Sequence, residues 1–104
     1  MKKVIDGKVY NTATAERIAA YQTPGVRFGE DFEAVRETLY RTKKGAYFLC
    51  GQGFIEGWGS PAPGGGTGMG GDLRALSRTQ ALAWAERREI DADTVAAEFG
   101  VEEA

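Results

Sequence analysis

The sequence predicts an α+β domain, an antiparallel β-sheet built from hairpins with helices packed on one face. Two turn signals point to the sheet. Asp6-Gly7 and Thr42-Lys43-Lys44-Gly45 each separate short runs of β-branched and aromatic residues, and both suit tight hairpin turns. One helix signal points to the covering layer: Ser77-Arg78-Thr79-Gln80 is a capping box ahead of an Ala- and Leu-rich segment. Hairpins favour antiparallel over parallel pairing. The chain has 104 residues, the size of one domain. Its 42% hydrophobic and 27% charged residues are ordinary for a folded globular protein.

The elements follow in order. Val4-Ile5 and Val9-Tyr10 read as a hairpin about Asp6-Gly7. Asn11 or Thr12 then caps an expected helix over Ala13 to Tyr21, because Ala15, Ile18, Ala19 and Tyr21 or Gln22 recur at three- and four-residue steps. Thr23-Pro24-Gly25 ends it, and residues 24–31 read as a loop. From about Phe32 the period becomes two. Two strands meet at a bulged turn with Gly45 in the left-handed position, a register that sets Tyr40 opposite Phe48 and Leu39 opposite Leu49. Residues 51–71 hold ten of the fifteen glycines together with Pro61 and Pro63. Ordering such a segment costs the most backbone entropy, so a long flexible loop within the domain is expected. Asp72 to Leu76 fits a short strand. The capped helix then runs to about Arg88 with Ala81, Leu82, Trp84 and Ala85 inward. Asp91 caps a last helix that buries Val95 and Phe99 and stops at Gly100.

Much chemistry is excluded or unsupported by residue type. The chain has no histidine, so the commonest general base and metal ligand is missing. One cysteine, Cys50, forms no internal disulfide and no Cys/His zinc site. It reads as a small apolar strand residue lacking an activating base. Gly66-Thr67-Gly68-Met69-Gly70-Gly71 matches G-x-G-x-x-G, but Asp72-Leu73-Arg74 follows instead of a long helix, so no cofactor is expected. Asp31, Glu33, Glu37, Glu56 and Asp72 show no spacing that selects a catalytic pair and read as solvated charge. After Lys2-Lys3 the apolar run is only Val4-Ile5, and no segment approaches the roughly 18 apolar residues of a membrane span, so neither secretion signal nor membrane anchor is expected.

Surface chemistry carries the functional expectation. Thirteen Lys and Arg against fifteen Asp and Glu give a net charge of −2, neither a basic nucleic-acid coat nor an acidic mimic. The cations Lys2, Lys3, Lys8, Arg36, Arg41, Lys43 and Lys44 nevertheless concentrate in the strand half, and acids concentrate in the last helices. Both faces of the 33–54 hairpin carry apolar side chains: Val35, Leu39, Tyr47 and Leu49 on one, Tyr40, Phe48 and Phe54 on the other. Either both faces are covered, or one is an interaction surface. Trp58 and Met69 either anchor a partner from the loop or fold back over the core.

Lys2 to Thr12 with Thr14-Ala15-Glu16, Glu37 to Leu49, Leu76-Ser77 with Ala81 to Glu86, and Phe99-Gly100 resemble a family of small, mostly uncharacterised proteins of phages and mobile elements. The resemblance spans most of the chain outside residues 24–31 and the glycine segment, which is longer here than in family members. It implies a mobile-element setting in the bacterial cytoplasm, where small non-enzymatic proteins inhibit host defence, anti-CRISPR proteins among them. It transfers no catalytic residue. The expected function is therefore stoichiometric binding to a protein partner such as a CRISPR effector complex, with Tyr40, Arg41, Lys43, Lys44, Tyr47, Trp58 and Met69 at the contact. A nucleic-acid-binding regulator using the basic hairpins is the alternative. An exposed hairpin edge also permits a homodimer.

Overall fold

The computed structural model covers residues 1–104. Its strands are β1 (Lys2–Ile5), β2 (Lys8–Asn11), β3 (Glu16–Gln22), β4 (Val35–Arg41), β5 (Tyr47–Gly53), β6 (Ser60–Pro61), β7 (Thr67–Gly68) and β8 (Gly70–Leu76). Helices α1 (Arg78–Arg87) and α2 (Ala92–Phe99) follow. Strands β3, β4, β5 and β8 form one antiparallel sheet in the order β3-β4-β5-β8. Strands β1 and β2 form a separate hairpin, as do β6 and β7. The fold is α+β, with both helices against one face of the main sheet.

The hairpins follow their turn chemistry. Asp6 and Gly7 both have positive φ, 51° and 75°, as a twisted two-residue turn requires. Gly45 sits at φ 89°, and the Thr42 amide bonds the Ala46 carbonyl. Leu39 pairs with Leu49 and Tyr40 with Phe48. The capping box is complete: Ser77 accepts from the Gln80 amide, and Gln80 accepts from the Ser77 amide. Asp91 caps α2, and Gly100 ends it in the left-handed conformation.

Two expectations are corrected. Residues 13–21 are not a helix: Glu16–Gln22 pair with β4 as an edge strand. The register shifts between Arg17 and Ala19, so Ile18 is an extra residue in the ladder. That insertion puts half-buried Ile18, Ala19 and Tyr21 at helix-like steps inside a strand. Nor are residues 51–71 a single loop. Strand β5 continues to Gly53, β8 begins at Gly70, and a strap carrying the β6–β7 ribbon joins them.

Both faces of the sheet are apolar because both are covered. On one face Val35, Leu39, Tyr47 and Leu49 pack with Trp58, Ala81, Trp84, Ala85 and Phe99. On the other, Phe48 and Leu73 pack with Tyr10 of the N-terminal hairpin, and Ile5, Tyr40 and Cys50 flank them. Lys3 closes that contact by donating to Asp72 at 2.7 Å. Neither helix is long and apolar enough to cross a membrane.

Candidate functional site

The helix-side face is organised around a buried acid. Glu37 alternates inward between Val35 and Leu39 and is only 2% exposed. Its Oε2 accepts from Trp58 Nε1 at 2.8 Å, and its Oε1 accepts from Trp84 Nε1 at 2.9 Å and Arg88 Nε at 2.8 Å. Arg88 also donates to Glu56 at 2.9 Å. Burial pushes the Glu37 carboxyl upward, but the hydrogen bonds from Arg88, Trp84 and Trp58 and the charge of Arg88 outweigh it and hold the group below its ordinary value. The expectation of solvated charge therefore fails at Glu37. With both oxygens accepting hydrogen bonds, the acid ties strap, sheet and helix together.

Trp58 is the other half of this arrangement. Its indole lies so close to Gly51 that a Cβ there would overlap the ring. The Arg74 guanidinium stacks 3.7 Å from the ring centroid. Gly59 and Gly70 likewise pass close to neighbouring backbone, where a side chain would collide with the Phe54 and Trp58 carbonyls. These glycines serve close approach. Trp58, 2% exposed, folds over the core, so its placement at a partner contact is corrected.

The remaining expected contact residues separate. Tyr47 is buried, stacks on Phe99, and donates its hydroxyl to Glu98 at 2.6 Å. This corrects its assignment to the surface. Arg41 is held by Glu98 and Glu16. Tyr40 is partly buried, with its ring stacked 5.1 Å from that of Phe48. Lys43 and Lys44 are exposed at the β4–β5 turn, whereas Met69 lies just before Gly70, which pairs with Gly53 at the far end of β5. At about 3.3 Å per residue the length of β5 alone holds Met69 roughly 20 Å from the lysines, too far for one small patch.

What the structure does bring together at the turn is a second lysine-bearing loop. A groove of about 540 Å³ lies between the β1–β2 and β4–β5 turns, lined by Lys8, Val9, Tyr10, Lys43, Lys44 and Ala46 among others. None of the three lysines has a carboxylate within ion-pair distance, unlike Lys3 with Asp72 or Arg41 with Glu16 and Glu98. Val9 is 59% exposed and stands opposite Val4, 65% exposed, on the outer side of the hairpin. The sequence puts Lys8 with Lys43 and Lys44 in a basic strand half, which forms one surface only if the hairpins lie side by side; the fold sets the two turns together.

Burial pushes the Cys50 thiol up, away from the thiolate form. No group of three or more potential metal ligands is clustered. No family model, no curated protein and no solved structure matches the chain.

Proposed function

We propose that the protein acts by stoichiometric binding, using the groove between its two hairpin turns to engage an acidic surface of a protein partner. The observation that carries this reading is the grouping of Lys8, Lys43 and Lys44, none of them ion-paired, along that one groove. Unpaired cations steer and orient an acidic partner. In this reading the partner is the one that the resemblance to small mobile-element proteins implies, a bacterial defence complex such as a CRISPR effector, and binding inhibits it.

Nucleic acid is the second reading, favoured by the same three lysines. It is the weaker one because Tyr10, the aromatic residue of the groove, is buried and meets Phe48 edge-on, so no open ring is available to stack a base. Three phosphate contacts would give a slope near −3 in log affinity against log salt.

The test mixes the purified chain with purified CRISPR effector complexes and follows co-elution and target cleavage. The expected result is a complex with cleavage suppressed at saturation by a fixed number of chains per effector, and loss of both in Lys43→Glu/Lys44→Glu. Undiminished cleavage without co-elution across effector types rejects the defence-complex assignment. A salt slope near −3 with a labelled oligonucleotide supports the nucleic-acid reading instead.

A further inference from the structure

We infer that the cleft between β8 and α1 is a binding site for a carboxylate that carries a small apolar group. The cleft is open on one side and offers about 330 Å³. That is the lower end of ligand-pocket sizes, about 300–1,000 Å³, and suits a ligand the size of an amino acid or aryl acid. Leu49, Leu76 and Trp84 supply its apolar lining, and Arg74, Arg87 and Gln80 supply donors.

Arg74 is the reason to expect an anion. It pairs with Leu49 across the β5–β8 ladder, which directs it to the helix side of the sheet. It is half-buried, stacked on Trp58 and packed beneath Gly57, yet its guanidinium donates no hydrogen bond within the protein. A planar fork of five donors held in place without an acceptor is a preformed partner for a carboxylate. Arg87, on α1 above the same cleft, also lacks an ion-pair partner. Gln80 spends its Oε1 on the Ser77 amide, which leaves its side-chain NH₂ as a donor.

The acids in the wall do not cancel this. Glu37 is occupied by Trp58, Trp84 and Arg88, and Glu56 is paired with Arg88. Two acids and Arg88 leave one negative charge, against two positive charges from Arg74 and Arg87. Trp84 closes the apolar floor, so an acid with a hydrophobic body fits better than a bare inorganic anion.

The ligand is either a free small acid or the C-terminal carboxylate of a peptide, and two probes separate them. Phenylacetate represents the first, and an N-acetylated tetrapeptide ending in phenylalanine the second. Binding is read from the tryptophan fluorescence of the full chain, since Trp58 and Trp84 border the cleft. The expected result is a saturable response to at least one probe and at least tenfold weaker binding by the matching amide. Arg87→Gln, on the exposed side of α1, should weaken binding about threefold without disturbing the fold. Arg74→Gln should weaken it at least tenfold, and Arg74→Lys nearly as much because the planar fork is lost. No saturable response to either acid, equal binding of acid and amide, or unchanged affinity in both Arg87→Gln and a folded Arg74→Gln overturns the site.

Discussion

At the scale of single residues, Glu37 and Gly51 carry the most structural consequence. Glu37, only 2% exposed, shares the charge of Arg88 with the half-exposed Glu56, so removing its charge leaves Arg88 with Glu56 as its one counter-charge and the two indoles without an anionic acceptor. Glu37→Gln should cost about 3 kcal/mol, measured as a lower urea midpoint with an unchanged slope. The carboxyl is held below its ordinary value of 4.5 in the folded protein. Its contribution is therefore complete above about pH 4.5 and fades as pH falls through the lower folded-state value. An acid titration of stability should show this limb flattened in Glu37→Gln. Gly51→Ala should expel Trp58 from its slot at a cost of about 1–3 kcal/mol. A red-shifted tryptophan emission and new protease cleavage within residues 54–69 would report it. The period of two that sets Val35 and Leu39 on one face also sets Glu37 between them, so its inward position was legible in the sequence. Its donors were not, because they come from positions 21, 47 and 51 residues away, and neither was the slot that Gly51 leaves for Trp58.

Elements were legible where a local signal and the tertiary structure agree. The capping box at Ser77 and the left-handed Gly100 place both helices to within a residue or so of their observed ends, because caps are satisfied by neighbours in sequence. Ser77→Ala should therefore cost about 1 kcal/mol, and Gly100→Ala, at φ 66°, a similar amount, read from thermal or urea unfolding. Strand β3 was misread for a physical reason. Its Ala-rich composition favours helix, and the extra residue at Ile18 replaces a period of two with steps of one and two that mimic a helical face. Pairing with β4 along Glu16–Gln22 overrides that local preference. The strap was misread for the complementary reason: its glycines signal entropy when counted, and close packing only when the partner backbone is in view.

The whole molecule is flat, 48 × 36 × 20 Å, as a sheet with helices on one face and a small hairpin on the other must be. The N-terminal hairpin is thus part of the core, and Tyr10→Ala should cost about 3 kcal/mol by uncovering Phe48 and Leu73. Lys43→Glu/Lys44→Glu, by contrast, should leave stability within about 0.5 kcal/mol of the parent while abolishing partner binding, which separates surface from scaffold. The composition, the two hairpin turns and the helix caps determined on their own that this chain forms an antiparallel sheet with helices, because each depends on residues adjacent in sequence. Which aromatic residues lie inside, where Glu37 finds its donors and which lysines stand together were decided only by tertiary structure. Burial and charge grouping are set by contacts between distant segments, and a single strand's alternation does not reveal whether a second layer covers its other face.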